Sequence, residues 1–375
     1  MSSHFGTSVQ ATNTGLIYRN PKPHLRAIHA WHPTVVALGE LELLCTFDLG
    51  QAVESLDYRT YISHSTDGGS SWSAPRPLVN DPTERPNTHS FRITQLRDHT
   101  FVGFGGRFYR DDPEEGLTNR DNLGFVPMDL ITTTSVDSGL TWSAPITITP
   151  PLVGPAFEIC HAIIELQDGR WLAPTQTWRG WHGDAPNGMK TIALISRDRG
   201  ATWSQYIDIL DGTDAGIIYF EQSVTQLADL RLLAVAWAYE EQTGQSRPNA
   251  YVISTDGEAA FSAPQSTDLQ GETAKVLSLP DGRILSLYRR RDRPGLWANL
   301  SHLDGDTWVN LGEAPIWQGA VTGMLGQANT SDELGNLKLG YPSLVNLPGG
   351  DVFAAFWCCE DGLYNIRWVR IAIDS

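Results

Sequence analysis

Positive charge is scarce. The 375-residue chain carries 27 Lys and Arg against 43 Asp and Glu, a formal charge of −16. Such a surface repels phosphate backbones and anionic lipid heads, which argues against nucleic acid and membrane surfaces as partners. Cysteine is limited to Cys45, Cys160, Cys358 and Cys359. They contain no C-x-x-C pair, and the adjacent two would point to opposite faces of a strand, so buried free thiols are expected instead of a disulfide framework. No apolar run reaches the roughly 18 residues of a membrane-spanning helix. The segment Met1-Ser-Ser-His-Phe-Gly-Thr7 has no basic stretch leading into an apolar one, which reads as a cytoplasmic chain unless a leader has been trimmed. Sustained 3.6-residue periodicity with caps is missing, so helices should be few and short. P-loop, Rossmann and G-x-S-x-G signatures are missing too, and no cofactor is expected.

The chain does hold 35 Gly, 22 Pro and 13 Trp within a composition that is 41% hydrophobic. That is globular, and long enough for a large core. Division by about 150 residues per domain suggests two or three domains, but all-β domains run longer, and the repeats below make one domain of 1–375. Ser65-Thr-Asp67-Gly-Gly69-Ser-Ser-Trp72 recurs as Ser135-Val-Asp137-Ser-Gly139-Leu-Thr-Trp142 and as Ser196-Arg-Asp198-Arg-Gly200-Ala-Thr-Trp203. Weaker copies are Ser254-Thr-Asp256-Gly-Glu-Ala-Ala-Phe261 and the shortened Asp304-Gly-Asp-Thr-Trp308. The pattern describes a tight turn: Asp bonds backbone N–H groups, Gly supplies positive φ, and Trp packs back beneath the loop.

Between these boxes lie paired apolar runs joined by turn residues, such as Ala274-Lys-Val-Leu-Ser-Leu-Pro-Asp-Gly-Arg-Ile-Leu-Ser-Leu287. Asp-Gly or Gly-Gly between β-rich runs signals a hairpin. Six such hairpins open units at roughly 27–80, 88–150, 156–211, 217–267, 270–313 and 338–375. Radial repetition of four-stranded antiparallel units is a propeller, here all-β and six-bladed. Residues 14–18 are expected to add an outer strand to the last blade and close the ring, with 314–337 as a long loop before that blade.

Boxes and hairpins together resemble the Asp-box, or bacterial neuraminidase repeat, proteins of the sialidase superfamily, over about residues 14–375. The resemblance implies a sialidase-like six-bladed propeller with a central carbohydrate pocket, the boxes lying on the rim. Fold does not settle activity, so the site needs its own argument.

In a propeller the starts of the innermost strands converge on one end of the central channel. Here they read His29-Ala-Trp31-His32-Pro33, His89-Ser-Phe-Arg92, Phe157-Glu158-Ile-Cys-His161, Tyr219-Phe-Glu221-Gln, Gly271-Glu272-Thr and Gly340-Tyr341-Pro342. The far ends of the second strands add Arg107, Trp178, Tyr239, Arg289 and Trp357. Polar groups at an apolar mouth are costly unless they serve a ligand or one another. His29, His32, Arg92, Arg107, His161, Trp178, Tyr239, Glu272 and Arg289 are therefore candidates for substrate binding, and Trp31, Trp181 and Trp357 could stack on sugar faces.

The resemblance implies that Tyr341 is a nucleophile and Glu221 the carboxylate that takes its proton, because a phenol with a pKa near 10 attacks poorly unaided. It places an acid/base Asp in the loop before the first box, where Asp57 is nearest by spacing and Glu54 is a rival. Glu158 and Glu221 open adjacent blades and also form a carboxylate pair of the kind glycosidases use. The family's three Arg that hold a sialic acid carboxylate are not all matched. Trp31-His32-Pro33 stands in place of Arg-Ile-Pro, and Ala236-Trp-Ala-Tyr239 in place of the second Arg, which leaves Arg289-Arg-Arg291 for the third. Loss of two bidentate contacts weakens the case for an anionic sugar, so an exo-glycoside hydrolase other than a true sialidase is expected. Two alternatives stand beside it: a lyase acting on a uronate held by Arg92 or Arg107, and a non-catalytic sugar-binding propeller. His29, His32, His89 and His161 with Glu158 form a conceivable metal set, but no motif fixes them on one element, and no metal is expected.

Overall fold

A computed structural model describes residues 9–255, 260–319 and 337–374. Among them are six antiparallel sheets and one short 3-10 turn, Thr213–Ala215, arranged as a six-bladed propeller. The innermost strands are His29–Ala37, Asn87–Gln95, Ala156–Glu158 with Ile164–Glu165, Ile217–Gln226, Gly271–Ser278 and Leu339–Asn346. The outermost strand of blade six is the N-terminal Val9–Tyr18, paired antiparallel with Leu363–Ile373. Ring closure therefore takes the expected form, with a strand that starts five residues earlier than residue 14. Residues 256–259 of the fourth box and 320–336 of the loop before blade six lie outside the described residues. The start of that expected loop, residues 314–317, is strand, since the last strand of blade five runs Thr307–Trp317.

The core sits between blades. Leu172 of the strand Trp171–Trp178 packs toward blade four, while Trp171 and Ala173 pack toward blade two. Leu232 and Ala234 of Leu232–Glu240 face blade three, while Leu233 and Val235 face blade five. Period-two alternation with both faces buried explains why second strands read as unbroken apolar runs instead of alternating ones. The boxes form the turns expected of them. In the first, Asp67 accepts the Ser71 N–H at 2.9 Å and the Ser71 hydroxyl at 2.6 Å, Gly69 has φ 90°, and the Trp72 indole donates to the Gly69 carbonyl at 3.0 Å. The second box repeats this geometry through Asp137, Thr141 and Trp142.

Candidate functional site

The innermost strands carry a device that pattern reading did not anticipate. Four of them shift register by one residue, between Trp31 and Thr34, Phe220 and Ser223, Glu272 and Lys275, and Gly340 and Ser343. Each shift holds a non-glycine residue in the left-handed region: His32 (φ 49°), Glu221 (φ 50°), Thr273 (φ 53°) and Tyr341 (φ 48°). Such a bulge breaks the ladder and re-aims a side chain, and left-handed backbone at these residue types stores strain of about 1–3 kcal/mol per site. Three of the four line one cavity of about 260 Å³ at the propeller axis, and Thr273 Oγ1 accepts the Tyr341 N–H at 3.2 Å. Blade two has no bulge, yet its unbroken strand delivers Ser90 and Arg92 to the same cavity.

Beneath the cavity sits Asp48, fully buried on the second strand of blade one. It accepts from Thr60 (2.6 Å), Ser90 (2.6 Å) and Tyr58 (3.2 Å), and Arg92 lies 3.5 Å from it. Burial opposes its charge, but the His32 contact, Arg92 and Ser90 outweigh that and lower its pKa. Arg92 Nε donates to the Tyr341 hydroxyl at 3.0 Å. Lys275 stands 4.5 Å from the centre of the Tyr341 ring and Arg92 4.9 Å from it, so two cations flank the phenol. Burial still holds the Tyr341 hydroxyl above its ordinary pKa, against the pull of Arg92. Lys275 donates to the Cys160 carbonyl at 2.8 Å, and burial lowers its pKa.

Glu158 and Glu221 meet on the cavity wall, where the Glu221 backbone N–H donates to Glu158 Oε2 at 3.1 Å. Loss of water, then the neighbouring Glu221 charge, push Glu158 up to about 8. Glu221 is also raised by burial, partly offset by Lys275, Arg289 and Arg92. His32 is lowered chiefly by burial and therefore neutral; its Nδ1 lies 2.5 Å from the Tyr58 hydroxyl. Across from these polar groups the cavity is apolar, walled by Phe108, Leu123, Phe125, Trp178 and Phe220.

The structure brings Glu158, Glu221, Tyr341, His32, Arg92 and Trp178 to the cavity. Asp57 is not among them: it is exposed and accepts the Gln51 N–H at 3.1 Å, because the loop turns it outward. Glu54 of the same loop lines the cavity, its carboxylate accepting the Leu117 N–H at 2.5 Å. Arg107 pairs with Asp81 at 2.7 Å and Asp129 at 3.3 Å, away from the cavity lining. Glu272 and Arg289 are ion-paired with each other, 1% and 3% exposed, off that lining. Tyr239 packs edge-on against Phe220, behind the wall. His29 lines a neighbouring slot, and His161 lines a cavity formed by the later halves of the inner strands, where it is neutral with its pKa lowered to about 4 by burial. The four histidines thus do not converge, since His29 and His32 line that slot together, His89 is buried against Phe91 and His161 lies in the other cavity, and among the described residues no group of three metal-ligating side chains is poised to hold an ion. Asp48, Tyr58 and Lys275 were not anticipated. A single charge inside an apolar strand, as in Leu43-Leu-Cys-Thr-Phe-Asp48 and Ala274-Lys275-Val, was the signal for two of them.

Solved structures of similar shape include a Dyadobacter fermentans protein of unknown function, 22% identical over 98% of this chain and 99% of that one, with a TM-score of 0.76. The NanB sialidase of Streptococcus pneumoniae is 13% identical, covering 96% of this chain and 70% of that one, with a TM-score of 0.65. Trypanosoma rangeli sialidase is 15% identical with a TM-score of 0.59; the match covers 92% of this chain and 55% of that one. At such identities the likeness concerns the fold. No curated protein matches the chain. A family model described as a BNR repeat-like domain matches residues 118–354, more than half the length, and on that match the chain belongs to the BNR repeat-like domain family.

Proposed function

We propose that the protein is an exo-acting glycoside hydrolase whose central cavity takes one terminal, uncharged sugar. The observation that carries this reading is the carboxyl pair: Glu158, raised to about 8, holds a proton at neutral pH beside Glu221. A carboxyl that keeps its proton, beside a second one that Lys275, Arg289 and Arg92 draw toward the ionised form, can supply an acid and a base in one pocket. In this mechanism Tyr341 attacks the anomeric carbon while its phenol proton passes to Glu221. Glu158 protonates the departing oxygen as the sugar–oxygen bond breaks. Water then attacks the anomeric carbon while Glu158 takes its proton, and the Tyr341 oxygen departs as Glu221 returns the phenol proton, so both groups are restored and the anomeric configuration is retained. Arg92 and Lys275 favour negative charge developing on the phenol oxygen.

The uncharged sugar follows from the arginines. Among the described residues Arg92 is the one arginine on the cavity lining, and it already faces Asp48 and Tyr341. A uronate lyase would need Arg92 or Arg107 for the substrate carboxylate, and Arg107 is held by Asp81. The test is a panel of aryl glycosides, sialosides and uronate-containing oligosaccharides with product mass. Release of an uncharged sugar, lost in Glu221→Gln, is expected. An unsaturated product, or sialoside cleavage at comparable rate, would replace this reading.

A further inference from the structure

Beside the central cavity lies a second one, also about 260 Å³, between blades one and six. Its walls are the rings of His29, Trp31, Trp357 and Tyr364, with Gln51 at its exposed edge. Trp31 and Tyr364 touch with ring centres 4.5 Å apart, Trp357 lies 5.8 Å from Tyr364, and His29 meets Tyr364 edge-on at 5.6 Å. The two cavities share His32 and Val53 and are therefore neighbours along one cleft. Each alone falls below the roughly 300–1,000 Å³ of a small-molecule site, whereas the two joined fall within it. Burial keeps His29 neutral, and its Nδ1 accepts the Tyr364 N–H at 3.2 Å. That leaves Nε2 as the protonated nitrogen, a donor for an acceptor oxygen.

We infer that this aromatic slot binds a second sugar ring, the unit attached to the one in the central cavity. Extending the hydrolase reading, it takes the occupant of the central cavity to be a sugar. Aromatic faces take up the C–H faces of a pyranose, while the His29 N–H and the Gln51 amide oxygen at the edge match its hydroxyls, the Gln51 amide N–H being turned to Asp57 at 3.4 Å. An anionic or purely apolar second unit fits less well, since among the described residues no Lys or Arg is on the slot's lining, Lys338 standing 5.9 Å from the Tyr364 ring, and three polar side chains, His29, His32 and Gln51, are on it.

The test uses the full chain with Glu158→Gln to stop turnover, probed on an array of immobilised mono- and oligosaccharides. Tyr364→Ala removes one wall. Gln51→Trp fills the slot from an exposed position. Retention of glycans of two or more units, at least tenfold weaker in both variants, with capture of single sugars unchanged, is expected. Equal retention by Gln51→Trp and its parent, or no retention of any glycan, overturns the inference. The catalytic reading is judged separately, by whether the unmodified protein releases the terminal sugar from the retained glycans. Binding without release rejects the hydrolase and keeps the slot; release with unaltered binding in Gln51→Trp does the reverse.

Discussion

At the scale of single residues, the site is a set of charges taken from water and set against one another. Glu158, the proposed acid, is also a liability. Its pKa is raised from 4.5 to about 8, so between those values the unfolded chain ionises this group and the native state does not. Stability from this group is therefore complete below about pH 4.5 and is lost as pH rises through 8. Glu158→Gln should melt at a higher temperature than the parent at pH 8 and nearly level with it at pH 4.5, by calorimetry at the two pH values. On the proposed hydrolase mechanism the same proton gives kcat/KM an alkaline limb falling through about pH 8, which a pH–rate profile checks. Asp48 acts in the opposite sense. Its replacement by Ala leaves the Arg92 guanidinium buried without its carboxylate, which costs about 3–5 kcal/mol. Urea unfolding of Asp48→Ala measures that loss, and a change under about 1 kcal/mol would show that Arg92 finds another partner.

At the scale of elements, the bulged inner strands decide where chemistry goes. A strand without a bulge alternates its side chains between the two blade interfaces, as Leu232–Glu240 does. One extra residue in left-handed backbone redirects His32, Glu221 and Tyr341 to the axis. Thr273 bears the same backbone with a β-branched side chain, the residue type least suited to it. Thr273→Asn, which tolerates positive φ and keeps an acceptor for the Tyr341 N–H, should stabilise by about 1 kcal/mol. A midpoint shift in denaturant at unchanged slope would report it, and destabilisation would mean that the Thr273 methyl packing matters more than the backbone.

At the scale of the whole molecule, closure joins the chain's two ends in one sheet. Val9–Tyr18 covers the edge of Leu363–Ile373 and contributes Ile17 and Tyr18 to the core between blades six and one. Removal of residues 1–18 exposes a long unpaired edge, which invites pairing with another chain. A lower melting temperature and self-association on size exclusion are expected; a monomer melting like the parent would show that blade six holds without its outer strand.

Much of this was legible from the linear chain. Repeated boxes and hairpins dictated strands, turns and six-fold repetition, because each signal is local and is satisfied within a single hairpin. Placing Glu158, Glu221 and Tyr341 near strand starts followed from the same repetition. The burial of Asp48, the outward turn of Asp57, the Glu272–Arg289 pairing and the separation of the histidines were decided only in three dimensions. The first and last of these depend on which blade faces which, and that is not written in the spacing of residues along a strand, whereas Asp57 is turned by its own loop and Glu272 and Arg289 are cross-strand partners within blade five. The amino-acid order set the repeating unit; closure of the ring set which charges meet, because the site's partners from different blades are 42 to 249 residues apart.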